Sequence, residues 1–182
     1  MNEVIKAIKD RYSCRDFSAA PLTDDQIREL THAALAAPSA LNRQPWHIIT
    51  ITNKALLEEY DAEALAILKA NYPEFYQRMM ERGGKIFYNA PCLIIIAKDT
   101  TDSATLDAGI AVQNVALAAH SMGLGSVICG VASHPLAGPR AQEWKKRLQI
   151  PEGYSFGMSI AVGTALSGKE PHELDLNKLT FI

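Results

Sequence analysis

The stretch at residues 105–125, TLDAGIAVQNVALAAHSMGLG, constrains the fold more than any other part of the chain. As a helix it would be apolar on almost every side, and small residues dominate it: Ala108, Gly109, Ala111, Ala116, Ala118 and Ala119. Such a helix must be buried nearly all round, and its small side chains let another helix approach its backbone closely. A chain of 182 residues has the size of one ordinary domain and seldom hides so long a helix. We therefore expect a subunit interface, most simply that of a two-fold dimer.

Hydrophobic periodicity predicts the other elements. Helices are expected at 2–10, from the Thr23 capping box to Ala37, over an excursion at 53–82 that Gly83-Gly84 ends, and on the surface at 138–150. Apolar runs predict strands at 47–52, 91–99, 125–131 and 155–165, the second of them buried on both faces. Because helices and strands do not alternate strictly, an α+β fold is favoured over a doubly wound parallel sheet.

We expect residues 1–182 to form a single domain, with 53–88 as a variable helical excursion. The segment 169–182 is polar at first but ends in Leu179, Phe181 and Ile182, which would be unusual on a frayed terminus. We expect this C-terminal extension to dock on a partner subunit.

Composition argues against several classes of protein. A net charge of −2, without basic residues interleaved with aromatics, does not suit nucleic-acid binding. The longest apolar run is too short to span a bilayer and the first helix lacks a signal-peptide core, so we expect a cytoplasmic protein. Three cysteines without CxxC indicate reduced thiols, and five histidines without HExxH or paired spacing predict no metal site.

The polar turn RYSCRDF at residues 11–17 has two interpretations. Arg11 and Arg15 could pair with surface acids such as Asp16, each pair contributing under about 1 kcal/mol. Alternatively, the two guanidinium groups and Ser13 bind a phosphate or a polarised ring carbonyl, for which the fork of an arginine is suited.

Two further segments admit both a structural and a binding role. Ser39, Asn42 and Gln44 lie between Pro38 and Pro45, and either cap their own turn or present polar groups to a heterocycle. In GLGSVICGV, Gly123 is expected to end the long helix, whereas Gly130 permits close approach of the backbone to a flat ring. We interpret Cys129 as a small buried apolar residue and the basic run 145–147 as a solvated helix face.

The order of RYSCRDF, APSALNRQPWHI, AGIAVQNVALAAHSMGLGSVICG and VGTALSGKEP resembles the nitroreductase family of flavin mononucleotide (FMN) enzymes. The resemblance covers the chain apart from residues 53–88. It implies an intertwined homodimer, in which helices flank a mostly antiparallel sheet, two FMN molecules lie at the interface, and a C-terminal extension crosses to the partner.

The resemblance also assigns residues to the cofactor. Arg11 and Ser13, with Tyr12 between them, would bind the phosphate or ribityl oxygens, and Arg15 would face the pyrimidine edge of the flavin. The partner's loop would contribute Pro38, Ser39, Ala40, Asn42 and Gln44. Ile128, Cys129 and Gly130 would lie against the ring near N5, and Lys169 would bind phosphate. Ala40 departs from a frequent serine, Val131 from a frequent glycine, and Pro171 and His172 stand where a second basic residue is usual.

These assignments imply a hydride transfer from NADH or NADPH through FMN to a nitroaromatic, a quinone or another small organic acceptor, by a ping-pong mechanism. Arg15 is the expected catalytic residue, because a fixed cation stabilises the charge that develops near flavin N1 and the C2 carbonyl. Two alternatives stay open. One is a flavin-processing or reductive dehalogenating enzyme with a lid at 60–88, and the other is a non-catalytic dimer that binds flavin or none.

Overall fold

The computed structural model describes residues 2–182, and a four-stranded antiparallel sheet lies at its centre. The strands are β1 (Trp46–Ile51), β2 (Cys92–Lys98), β3 (Gly125–Ile128) and β4 (Ser155–Gly163), in the spatial order β1-β2-β4-β3. Every pair of neighbouring strands is antiparallel. The predicted α+β class is confirmed.

Helices cover both faces of this sheet. They are α1 (Glu3–Asp10), α2 (Asp24–Leu35), α3 (Lys54–Asn71), α4 (Pro73–Glu81), α5 (Ala104–Ser121), α6 (His134–Ala137) and α7 (Ala141–Arg147). Short 3-10 turns lie at Ala40–Asn42, Gly130–Ser133 and Leu176–Lys178.

Local signals place the ends of the helices as expected. The capping box of α2 is complete, since Thr23 accepts from the Gln26 N–H while the Gln26 side chain accepts from the Thr23 N–H. Gly123 follows α5 with a φ of 72°, and its N–H donates to the His120 carbonyl. A glycine tolerates this left-handed backbone at no steric cost, so the helix ends there.

Side chains of β2 divide between two cores, because successive residues of a strand point to opposite faces. Leu93 and Ile95 pack in a cluster that includes buried residues of α3 and α4. Ile94 and Ile96 pack in a second cluster with α2 and α5. The prediction that this strand is buried on both faces is confirmed.

One expectation about the C-terminal half is wrong. The third strand ends at Ile128 rather than at 131, because the chain turns into a 3-10 helix from Gly130. The basic run 145–147 lies on the outer face of α7, where Lys146 and Arg147 are exposed as expected. Arg147 donates two hydrogen bonds of 2.6 Å to the Glu59 carboxylate, and its guanidinium lies 4.5 Å from the ring centre of the buried Trp144.

Several apolar surfaces of the single chain are left uncovered. Val4, Ile5 and Ile8 of α1 are exposed, as is Leu106 in the first turn of α5. Every residue from Leu166 to Ile182 is exposed, and Phe181 retains 91% of its accessible surface. Among residues 2–182, no helix has the length and apolar character needed to cross a membrane.

Candidate functional site

The N-terminal segment 11–17 runs beside the start of β3 and the residues that follow β4. The Cys14 N–H donates to the Ser126 carbonyl at 2.9 Å, and Phe17 forms an antiparallel bridge with Ala165. The Tyr12 hydroxyl donates to the Ser167 carbonyl at 2.8 Å. These contacts place the predicted phosphate-binding residues of the segment beside the stretch that leads to Lys169.

The basic residues of this region have no acidic partners among residues 2–182. Neither Arg11, Arg15 nor Lys169 forms an ion pair within the described part of the chain, and the nearby Asp10 pairs with Lys6 at 2.8 Å instead. Arg11 Nε is buried and has no hydrogen-bond partner among residues 2–182. The surface ion pairs that the sequence allowed are therefore not formed. The Arg11 guanidinium suits an anionic ligand, because a buried donor without a partner is costly.

The segment Ile128–Gly130 begins at the last residue of β3 and is held by β4. The Cys129 N–H donates to the Ser159 carbonyl at 2.8 Å, and the Ser159 hydroxyl donates to the Cys129 carbonyl at 2.6 Å. Gly130 then begins a 3-10 turn, where the first amides lack partners within the helix. A Cβ atom at Gly130 would meet nothing within 4 Å, so the chain itself leaves open space there.

Cys129 is not a nucleophile in this structure. Burial raises the pKa of its thiol to about 11, although backbone amides of Ala132 and Val131 oppose the shift. The thiol therefore stays protonated at neutral pH, and the interpretation as a small buried residue is confirmed.

The loop between Pro38 and Pro45 has an unusual backbone. Leu41, Asn42 and Gln44 have φ values of 54°, 53° and 50°. This left-handed conformation costs a residue with a side chain about 1–2 kcal/mol, most for a bulky residue such as leucine. The Ser39 hydroxyl accepts from the Gln44 N–H at 2.9 Å, and the Gln44 amide donates to Asn42 Oδ1 at 3.2 Å. The polar side chains of the loop thus stabilise their own turn.

The loop and Gly130 lie at opposite edges of the sheet. The loop precedes β1, Gly130 follows β3, and the two strands β2 and β4 lie between them. Neighbouring strands are about 4.8 Å apart, so β1 and β3 are separated by about 14 Å. Within one chain the structure brings the 11–17 segment together with β3, whereas the loop belongs to the other edge.

Sequence reasoning missed one residue beside this loop. Asp107, in the first turn of α5, is only 2% exposed. Its carboxylate accepts from the Ala40 N–H at 3.3 Å and from the Ser103 hydroxyl at 2.8 Å. Asp107 is the single acidic residue of α5, and that was the available signal.

The stretch at 60–88 considered for a lid divides into a packed start and a mostly exposed part at 69–84. Leu57, Tyr60, Ala64 and Leu68 of α3 are buried, and the Tyr60 hydroxyl donates to the Ala132 carbonyl at 2.6 Å. The 60–68 part of the stretch therefore belongs to the core rather than to a lid.

A cavity of about 470 Å³ lies between the start of α3 and residues 85–91. None of the residues predicted to bind FMN lines it. Asp61 lines it and accepts from the Phe87 N–H at 2.9 Å, and burial raises the pKa of its carboxyl. Of the predicted flavin residues, those of the 11–17 segment and Ile128–Gly130 lie beside β3, whereas those of the 38–45 loop lie at the β1 edge of the sheet.

Comparison with known proteins identifies the class of this chain. Residues 8–164 match the model of the Nitroreductase family. A solved structure of a nitroreductase with bound FMN from Desulfitobacterium hafniense is 44% identical, with a TM-score of 0.96, covering 100% of this chain and 99% of that one. A protein of Methanothermobacter thermautotrophicus named for NADH dehydrogenase or NAD(P)H nitroreductase activity is 32% identical, over 82% of this chain and 71% of that protein. An NADPH-flavin oxidoreductase from Vibrio harveyi is also 32% identical, over 88% of this chain and 65% of its own.

This chain belongs to the nitroreductase family. The resemblance drawn from the order of its motifs is therefore confirmed.

Proposed function

We propose that this protein is an FMN-dependent NAD(P)H oxidoreductase of the cytoplasm, which reduces small organic acceptors such as nitroaromatics or quinones by a ping-pong mechanism. The proposal is carried by one observation in a chain of the nitroreductase family: the segment with Arg11 and Ser13 lies beside β3 and next to the stretch before Lys169. Within residues 2–182 neither Arg11 nor Lys169 forms an ion pair, and Arg11 Nε is buried without a partner. Bound FMN would supply the hydride-transfer chemistry between NADH or NADPH and the acceptor.

Arg11 and Lys169 would hold the phosphate of FMN, and Ser13 would support them. The orphaned Arg11 Nε fits this role, because a phosphate oxygen supplies the acceptor that residues 2–182 do not. Tyr12 keeps the two parts of the site together through its bond to the Ser167 carbonyl.

Arg15 would carry the electrostatic part of catalysis. It is exposed and forms no ion pair with the described residues, so its charge is available to a ligand. A fixed cation beside a ring that gains negative charge lowers the barrier to reduction. The reaction requires no acid or base from the protein, and Cys129, with its raised thiol pKa, is not one.

A homodimer would complete the site. The 38–45 loop lies at the opposite edge of the sheet from Gly130, so a partner's loop is the simplest source of Pro38, Ser39, Ala40, Asn42 and Gln44. The uncovered apolar residues of α1, α5 and the C-terminal extension supply surface for such an interface. The extension would dock there, on the partner.

The test is reduction of the purified protein. A yellow protein that NADH or NADPH bleaches, and that nitroaromatics or quinones then reoxidise, supports the proposal. Stopped-flow traces with each nucleotide followed by each acceptor would show two independent half-reactions if the mechanism is ping-pong. Flavin that only dithionite bleaches would favour the non-catalytic dimer, and flavin fragmentation or halide release would favour the flavin-processing or dehalogenating enzyme.

A further inference from the structure

The carboxylate of Asp107 connects the first turn of α5 to the 38–45 loop. Its Oδ1 accepts from the Ala40 N–H at 3.3 Å, while its Oδ2 accepts from the Ser103 hydroxyl at 2.8 Å. Asp107 is 2% exposed, so water does not compete freely for these bonds. The carboxylate thus anchors the point at which the loop begins its 3-10 turn.

The loop needs such an anchor because its backbone is strained. Leu41, Asn42 and Gln44 hold left-handed conformations although none of them is a glycine. The first of them, Leu41, is 85% exposed. Packing of that side chain within its own chain therefore does not explain the conformation. The bond from the Asp99 N–H to the Pro45 carbonyl, at 3.0 Å, holds the other end of the loop.

We propose that Asp107 is a positioning residue for the flavin site, which holds the 38–45 loop in the strained shape that it presents to the partner subunit's FMN. The proposal has two parts: Asp107 holds the loop, and the loop contacts FMN. Only the second part, its flavin half, rests on the proposed function. Asp107 itself touches the loop and α5, so it acts through Ala40 and its neighbours and is not a catalytic residue. A strained conformation persists only where surrounding contacts hold it, and such conformations cluster at ligand-binding sites.

The chain offers a matched control for a purely structural role. Asp61 is also a buried helical aspartate, and it accepts the Phe87 N–H at 2.9 Å, next to Tyr88 and Asn89 with φ values of 53° and 62°. Its loop is not among the residues assigned to FMN. Loss of either carboxylate removes a buried acceptor, so both alanine variants should unfold at a lower temperature.

The experiment compares Asp107→Ala and Asp61→Ala by two measurements. The first is the rate at which trypsin cleaves after Arg43 in the FMN-free full chain, because an exposed loop that has lost its anchor opens more often. The second is the FMN dissociation constant, from quenching of flavin fluorescence. For Asp107→Ala we expect both quantities to rise roughly tenfold, the factor that one hydrogen bond to a charged group is worth. For Asp61→Ala both should stay at the wild-type value.

Conservative variants keep the test decisive if an alanine variant does not fold. Asp107→Asn retains one acceptor oxygen for Ala40 and should fall between wild type and Asp107→Ala in both measurements, whereas Asp61→Asn should match the wild type. Cleavage after Arg43 at the wild-type rate in the Asp107 variants, or equal effects from the two sites, would overturn the proposal. If the wild type itself binds no FMN, the proposed function fails and so does the flavin half of the inference, while the trypsin measurement still decides whether Asp107 holds the loop.

Discussion

The hydroxyl of Tyr12 donates a 2.8 Å hydrogen bond to the carbonyl of Ser167, which lies 155 positions further along the chain. Burial raises the pKa of this phenol, so it is a donor throughout the neutral range. The bond draws the arginine-bearing segment to the stretch before Lys169, and both parts are assigned to one phosphate.

Replacing Tyr12 by phenylalanine tests that connection. The variant loses one hydrogen bond, worth about 1 kcal/mol, and we expect FMN to bind roughly fivefold more weakly, as measured by equilibrium dialysis. Tyr72→Phe is the control, because Tyr72 is exposed and its hydroxyl has no protein partner in residues 2–182. Unchanged FMN affinity in Tyr12→Phe would show that the two segments do not share a ligand.

The two arginines of the N-terminal segment should differ in their effects. Arg11→Ala removes a cation with a buried, orphaned Nε and should weaken FMN retention more than it slows flavin reduction. Arg15→Ala should do the reverse, with reduction slowed by roughly 100-fold as for other lost electrostatic contacts. Stopped-flow absorbance and FMN titration separate the two effects, and Arg28→Ala, which breaks only an exposed pair with Asp25, serves as the control. Equal effects of both substitutions would contradict this division of roles.

Gly130→Ala should weaken FMN binding without lowering the stability of the fold. A Cβ atom at this position meets nothing within 4 Å, so the melting temperature should not fall. FMN affinity and the rate of flavin reduction should both decrease if the flavin ring lies against this backbone. Gly163→Ala provides the opposite case, because its Cβ would lie 2.6 Å from Pro91 Cδ and should destabilise the fold itself. A Gly130→Ala variant with wild-type binding would place the ring elsewhere.

The stability of the protein at low pH should depend on the ionised carboxylate of Glu59. Hydrogen bonds from Arg147, and secondarily from Arg140, lower its pKa from 4.5 to about 2. A carboxyl whose pKa is depressed by folding stabilises the native state fully above its unfolded value, and that contribution disappears as the pH falls through the folded value. Wild type should therefore melt above Glu59→Gln at pH 6, and the difference should shrink between pH 4.5 and 2.

The control for this measurement is Glu58→Gln, which loses only a 3.8 Å contact with the exposed Lys54. Its melting temperature should follow that of the wild type across the same pH range. A constant difference between wild type and Glu59→Gln down to pH 2 would mean that the contacts with Arg147 and Arg140 do not depress the pKa of Glu59.

The end of the chain should matter for assembly rather than for the fold of the single subunit. Leu179, Phe181 and Ile182 are exposed, so changing all three to serine should leave the secondary structure intact by circular dichroism. Sedimentation equilibrium should show a weaker dimer, since the substitutions remove apolar area that a partner would cover. An unchanged dissociation constant would mean that the extension does not dock on the partner.

The sequence alone determined most of the elements and the family of this protein. The capping box at Thr23, the glycine that ends α5 and the continuous burial of β2 each depend on residues a few positions apart. Local spacing is visible in a sequence, so these features could be predicted from it. The order of the polar motifs indicated the family for the same reason, because each motif is a short segment that can be read directly in the sequence.

Only the tertiary structure decided which distant residues meet. Arg147 pairs with Glu59 across 88 positions, and Asp107 reaches Ala40 across 67, and nothing in the local pattern marks either pair. The strand order, which separates the 38–45 loop from Gly130 by the width of the sheet, likewise follows from how the whole chain packs. Side-chain periodicity states which face of an element is buried but not what covers it, so long-range partners become known only when the fold is complete.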